Sequence, residues 1–310
     1  MTGARDGEFA AVPGIGLDEQ RPLRPQRPSV ARIYDFLLGG DHNRDVDRRA
    51  AATVLAQMPA LRGVLRADRA FLGRVMRHLL RVGIRQFLDL GSGIPAVGPA
   101  HELAPDPTVR VVYVDCDPDT VVTGRQILAG VPRATMIQAD LRAPQQVLRH
   151  PRLLDLLDLT QPVGILMIGV LHLVADHEDP AGIVAHLFDA LAPGSFLAVS
   201  HMGPVERQTP PGMIEAKNIY SRCGGALHPR SHEEIAAVLG DWQVQPPGMV
   251  PVPLWRPDPG TEPLAADVTF PGIAALAYKP VPPPAGAPHR ADRPPTARRV
   301  PSRRGNGQRI

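Results

Sequence analysis

Lysine is almost absent. Of the 34 basic residues in this 310-residue chain, only Lys217 and Lys279 are lysines and the rest are arginines. Aromatic residues make up 4%, so a core has to be assembled from Leu, Val, Ile and Ala. The two cysteines, Cys116 and Cys223, exclude a disulfide framework and a four-cysteine zinc site. No apolar run reaches the roughly 18 residues that a membrane span needs. The N-terminus carries Asp6 and Glu8 without an apolar stretch, unlike a secretory signal. These absences lead to the expectation of a soluble cytoplasmic protein. With 44% hydrophobic and 21% charged residues, the chain suffices for one large globular domain or two small ones.

The net charge of +3 is unevenly spread. Residues 281–310 hold seven arginines and one aspartate, a net +6, together with seven prolines. That segment is expected to be a disordered basic tail. It has no aromatics to stack on bases, so nucleic acid is not the expected partner, and at most the tail would touch it. Residues 1–28 balance four arginines against four acids and read as a flexible leader. Residues 29–280 are therefore net −3.

From Ser29 a helical period begins: Val30, Ile33, Tyr34, Leu37 and Leu38 share a face, and Gly39-Gly40 ends it. A second helix is predicted from about Val46 to Met58. A third carries Phe71, Leu72, Val75, Met76, Leu79 and Leu80 and closes at Gly83. Residues 29–83 thus form an N-terminal helical segment. Strands are then predicted at 86–91, 110–115, 134–140, 163–170 and 195–200, with helices at 118–129, 144–157 and 180–191. Ser231 and Glu234 form a capping box that opens a helix to Leu239. Two further strands are expected near 242–252 and 273–278. Strands alternating with helices call for a mostly parallel, doubly wound α/β sheet over residues 84–280.

Asp89-Leu90-Gly91-Ser92-Gly93 runs a strand straight into a glycine turn, where backbone can approach a ligand without Cβ atoms in the way. Gly91, Gly93 and Ala96 formally satisfy the dinucleotide pattern, with Asp115 at the expected distance. Asp89 argues otherwise. An anion repels a pyrophosphate by about 1 kcal/mol or more at contact, but favours the cationic methionyl group of S-adenosylmethionine. Asp115 ends the second strand, where a carboxylate can accept both ribose hydroxyls. Asp140 ends the third, where it can accept from an adenine amino group. The three acids lie at one edge of the sheet, the edge where open α/β folds bind ligands.

Several separated segments resemble one family. They are Arg32-Ile-Tyr-Asp-Phe-Leu-Leu-Gly-Gly-Asp-His-Asn43, Arg66-Ala-Asp-Arg-Ala-Phe-Leu72, Gln86 to Pro95, Val111 to Pro118, Ala139 to Arg142, Val170 to Leu173 and Leu191 to Ser195. In order, they are similar to an actinobacterial S-adenosylmethionine-dependent methyltransferase family long carried as a domain of unknown function. The resemblance covers roughly residues 28–280. It implies a seven-stranded class I methyltransferase fold, Rossmann-like, with the last strand antiparallel and S-adenosylmethionine as cofactor. It places Asp89, Gly91, Ser92 and Gly93 around the methionine portion. Asp115 would hold the ribose with Cys116 and Asp117 beside it, and Ala139, Asp140 and Leu141 would line the adenine edge. Tyr34, Gly40 and Asn43 belong to a segment expected to lie over the cofactor as a lid. Two positions depart from the family. Pro99 and Ala100 precede His101-Glu102 where Asn is usual, and Asp41 stands where Lys is frequent.

A base is needed only when the acceptor must lose a proton. His172 and His201 follow the fourth and fifth strands and are the candidates; Glu102 is expected in the first helix after the glycine turn. Asp176-His-Glu-Asp179 cannot all point one way, so no metal site is expected there. Ser200 is no hydrolase elbow, because Ala198 stands where glycine is required. Three functions follow. One is a methyltransferase acting on a small molecule, with the Pro-rich stretch 203–260 contributing to the acceptor site. The others are a non-catalytic S-adenosylmethionine-binding regulatory protein and an NAD-dependent oxidoreductase. The acceptor and the oligomeric state are left open.

Overall fold

Five short apolar runs lie side by side in parallel: β1 (Gln86–Leu90), β2 (Arg110–Asp115), β3 (Ala134–Gln138), β4 (Gly164–Ile168) and β5 (Phe196–Met202). A computed structural model describes residues 27–204, 218, 219, 221, 225–261 and 272–282. Most of the expected leader, nearly all of the basic tail and part of the Pro-rich stretch (205–217, 220 and 222–224) lie outside the described residues, Lys217 and Cys223 among them.

The sheet order is β3-β2-β1-β4-β5-β8-β6, with β8 (Gly272–Tyr278) antiparallel to β5. β6 (Gln243–Val244) and β7 (Val250–Pro251) both pair with β8. They make one interrupted edge strand, so the sheet has seven positions, as expected. The single strand expected over 242–252 is broken where Pro246 and Pro247 remove two ladder donors.

Side chains alternate between two cores. Leu88, Leu90, Val112 and Val114 point to one face, covered by α5 (Pro144–Leu148), α6 (Pro151–Leu154), α7 (Pro180–Ala190) and α8 (His232–Leu239). Phe87, Val111, Tyr113 and Leu166 point to the other, covered by α4 (Pro118–Ile127) and the C-terminal half of α3 (Leu61–Arg81). The helix expected over 144–157 is two short helices, because Pro151 starts a new one. The capping box at Ser231 and Glu234 is present.

A third core joins α1 (Val30–Leu38) and α2 (Asp45–Gln57) to the start of α3 through Ile33, Leu37, Ala51, Val54, Leu61 and Leu65. The third helix therefore begins ten residues before Phe71, since Leu61 and Leu65 extend its apolar stripe. At about 1.5 Å per residue it spans roughly 30 Å. Its first half belongs to the cap and its second half to the sheet. Asp68 and Arg69 fall between the two.

One expectation fails. No helix follows the glycine turn: residues 91–104 run as successive turns. Pro95 and Pro99 lack N–H donors, and Gly91, Gly93 and Gly98 have left-handed φ of 67°, 63° and 56°. Glu102 sits in one isolated turn closed on Pro99, not in a helix.

Candidate functional site

The glycine turn is anchored to its neighbouring strand. The Val114 carbonyl accepts from the N–H groups of Gly91 (2.8 Å) and Ser92 (3.0 Å). The Asp115 carboxylate accepts from Gly93 N–H (3.0 Å) and Asp117 N–H (2.9 Å). Burial pushes Asp115 up to about 6, against the pull of those N–H donors. Asp89, only 6% exposed, is pushed up to about 7 by burial, with Arg69 opposing and Asp115 assisting. A bound cation would bring Asp89 back to the ionised form. The two glycines differ in surroundings. A Cβ on Gly91 would lie 2.2 Å from Val170 Cγ2, whereas one on Gly93 would meet only Ala31 Cβ at 3.7 Å.

Ala31 belongs to α1, so the cap crosses the glycine turn by its N-terminal end. Ser29 Oγ donates to Asp117 Oδ2 (3.2 Å), and Arg32 reaches Asp119 (3.5 Å) while its Nε donates to the fully buried Asp47 (2.8 Å). Ser29 and Arg32, to which sequence reasoning gave no role, thus reach the turn's partners directly. Asn43 staples its own loop, donating to Asp35 Oδ2 and the Gly40 carbonyl and accepting from Arg48. Gly40 is pressed against the Asp35 carboxyl, 2.1 Å from where a Cβ would lie. Tyr34 packs on the third core with the Arg69 guanidinium 5.3 Å over its ring. These three shape the cap, and Asn43 uses its amide within it.

Asp117 caps α4, accepting from Asp119 N–H and Thr120 Oγ1. Cys116 between the two aspartates is exposed. At the third strand, Ala139 N–H donates to the Asp115 carbonyl (3.1 Å), and Ala139 and Leu141 lie partly buried against the core. Asp140 stands two residues past β3 and is held by Arg142 through its backbone N–H, Nε and Nη2, which keeps the carboxyl below its usual range. Arg142 also binds Glu178. The Asp140 side chain is therefore ion-paired, and an adenine amino group would have to share it with Arg142.

His172 follows β4 as expected, whereas His201 lies within β5 rather than after it, and the two candidate bases part company. His201 Nδ1 faces the Met202 carbonyl (2.8 Å), and its Nε2 faces Arg230 Nη1 (3.1 Å). A carbonyl can only accept and a guanidinium can only donate, so His201 is fixed as one neutral tautomer with both nitrogens engaged. Burial pushes it down to about 4. It is not available as a base. Arg230, buried at 4% exposure, also donates to the carbonyls of Leu171 and Val174 and to Asp176. His172 is different: its Nδ1 is buried with no partner among the described residues. Burial, aided by His201, Arg230 and His228, pushes it down to about 3. The acids of Asp176-His-Glu-Asp179 point three ways, to Arg230, to Arg142 and to the α7 N-cap.

Asp68 completes this corner. It is 9% exposed and pushed up to about 6 by burial, with Ser200 and Arg69 opposing. Its neighbours come from α3, β5 and the turn after β4; it lies in the Arg66–Leu72 segment that resembles the family, but sequence reasoning gave it no role.

A glycine turn after β1, an acid at the end of β2, a reversed β8 and a helical cap define a methyltransferase-like α/β protein. The chain matches the S-adenosyl methyltransferase family model over residues 17–280 and belongs to that family. It is 35% identical to a provisionally assigned methyltransferase of Thermobifida fusca YX, with a TM-score of 0.75, over 88% of this chain and 100% of that one. It is 34% identical to a DUF574 family protein of Streptomyces avermitilis MA-4680, with a TM-score of 0.75, over 83% and 99%. No curated protein matches the chain. The chain is an S-adenosylmethionine-dependent methyltransferase, which sets aside the oxidoreductase and the non-catalytic binder. The missing helix after Gly93 agrees, since a pyrophosphate would need that helix N-terminus.

Proposed function

We propose that the chain methylates a small molecule that enters over the carboxyl ends of β4 and β5. The observation that carries this is the cap. Ser29, Arg32 and Tyr34 close over the edge of the sheet through Asp117, Asp119 and Arg69. A roofed edge suits a compact acceptor better than a polymer, and the −3 charge of residues 29–280 disfavours nucleic acid. In this reading residues 29–83 are the cap and 84–280 the catalytic domain. No helix among the described residues is long and apolar enough to cross a membrane. The free, exposed Cys116 suits the cytoplasm.

The cofactor fits the residues present. Gly91 and Gly93 offer backbone without Cβ atoms, Asp115 retains acceptor capacity for ribose hydroxyls, and buried Asp89 favours a cationic methionyl group. When bound, it supplies an electrophilic methyl group on a sulfonium. The chain's part is to hold the acceptor in line and exclude water. The test is calorimetry with S-adenosylmethionine and S-adenosylhomocysteine, with NAD(H) as control. Wild type should bind both sulfur ligands, and Asp115→Asn should bind them about 10- to 100-fold more weakly, the loss of charged hydrogen bonds worth about 1.5–3 kcal/mol. Equal affinity in the variant would overturn the role of Asp115.

A further inference from the structure

Of the six orphaned buried polar atoms among the described residues, three gather at one place. Among the described residues, Arg69 Nε, His172 Nδ1 and Ser200 Oγ are buried and lack hydrogen-bond partners. Each such group costs about 1–3 kcal/mol unless something pairs with it. All three lie around Asp68. Arg69 is its chain neighbour, and the Ser200 hydroxyl faces its carboxyl without completing a well-formed bond. Asp68 Oδ2 and His172 Cε1 are each 4.0 Å from the point where a Cβ on Gly169 would lie. Gly169 has no such atom, so that point is open between them. The next residue, Val170, touches the glycine turn at Gly91. The opening therefore adjoins the turn expected to hold the methyl donor.

Resting on the function proposed above, we infer that Asp68 is the general base of this enzyme. Its acceptor is a neutral hydroxyl compound whose oxygen sits between Asp68, His172 and Ser200. A hydroxyl offers one donor and two acceptor sites. It would donate to Asp68 and accept a single bond, from Ser200 or from the neutral His172 ring, which leaves its other lone pair free to attack the methyl group. A carboxylate or phosphate would be repelled by Asp68. An amine would arrive protonated and stay paired to Asp68 as a non-nucleophilic cation. In the reaction the oxygen forms a bond to the methyl carbon as the carbon–sulfur bond breaks. The sulfur keeps the electron pair and becomes a neutral thioether. The hydroxyl proton passes to the Asp68 carboxylate and leaves to solvent after the product.

The charged and titratable groups around Asp68 are Arg69 on its own helix and His172 beyond β4, with His201 and Arg230 behind His172. Burial holds Asp68 up at about 6, which suits a base working near neutral pH.

The experiment offers the protein S-adenosylmethionine with catechol or 4-methylumbelliferone, beside benzylamine, benzoate and thiophenol, and measures S-adenosylhomocysteine release. Cofactor binding is followed in parallel by calorimetry. Methylation is expected on the hydroxyl probes alone, with an acidic limb near pH 6. Asp68→Asn should lose about 10²- to 10⁴-fold in kcat with unchanged cofactor affinity, and Asp68→Glu should restore part of it. Failure to bind the cofactor would overturn the function on which this rests. Cofactor binding with turnover of only the other probes, or of none, would overturn the hydroxyl assignment. A variant Asp68→Asn at wild-type rate, or a wild-type profile flat through pH 6, would overturn the base.

Discussion

Gly91 and Gly93 have nearly the same backbone, so replacing each by alanine separates strain from crowding. Their φ values are 67° and 63°, and alanine in that left-handed region costs about 1–2 kcal/mol at either position. The surroundings differ. At Gly93 the new methyl meets Ala31 Cβ at an ordinary 3.7 Å. At Gly91 it would lie 2.2 Å from Val170 Cγ2 and 2.9 Å from Val170 Cβ. Val170 is itself 6% exposed and sits in the main core, so it cannot swing into water. Overpacking of this kind costs about 1–3 kcal/mol more. Gly93→Ala is therefore expected to destabilise by about 1–2 kcal/mol and Gly91→Ala by about 2–5. With about 2–4 °C per kcal/mol for a domain of this size, Gly91→Ala should melt at least ~4 °C lower than wild type. Urea denaturation gives the energies and scanning calorimetry the midpoints. Val170→Ala completes a cycle: alone it leaves a small cavity, but in the Gly91→Ala background it should recover about 1 kcal/mol. Equal losses at the two glycines, or strict additivity in the cycle, would refute the reasoning.

Burial raises the Asp89 carboxyl from 3.8 to about 7, so folding favours its neutral form. The stability this contributes is present below the unfolded value and is lost as the pH rises through about 7. Asp89→Asn stays neutral throughout and should be more stable than wild type at pH 8 by about 1–3 kcal/mol, a figure reduced for relaxation around the site, while binding S-adenosylmethionine less well. Near pH 4 the two should match. His172 and His201 shift the opposite way, so the difference between paired urea melts is the quantity to read, and a variant no more stable at pH 8 would sink the idea. Arg230→Met leaves the Leu171 and Val174 carbonyls and His201 Nε2 without their donor. A loss of about 3–5 kcal/mol is expected from orphaning these acceptors at about 1–3 kcal/mol each, with His201, held down mainly by burial, rising from about 4 in an NMR titration. A loss under about 1 kcal/mol would show that the clamp is dispensable.

The parallel strands were legible because a strand buried on both faces reads as an unbroken apolar run, as in Val111 to Val114. The Ser231–Glu234 box was legible because both partners lie within one turn. Proline was read less well. Pro95 and Pro99 dissolve the helix expected after Gly93, Pro151 divides another, and Pro246-Pro247 interrupts the edge strand. The acids at the strand ends were legible as residues, but not what holds them. Asp140 is paired to an arginine two residues away, and Asp117 is the cap of α4 and an anchor for Ser29. The acceptor corner was half visible. His172 could be placed after its strand, while His201 proved to lie inside β5; what separates the two is Arg230, which lies 29 residues beyond His201. Asp68 sat inside a helix whose true start at Leu61 carried it from the cap to the sheet.

β8 is inserted between β5 and the edge pair β6/β7, although it is later in the chain than any of them. During synthesis, β5 emerges with no neighbour on that side, and its partner Gly272–Tyr278 leaves the ribosome about 70 residues later. At roughly 5–20 residues per second, that is a delay of about 4–15 s. Over that interval a seven-residue strand shows an unpaired backbone edge, the kind of edge on which chains associate wrongly. β6 and β7 cannot cover it, because each bonds only to β8. Completion of the sheet is therefore postponed to the last described strand, and the ends of β4 and β5, where the acceptor is to be held, gain their final support only then.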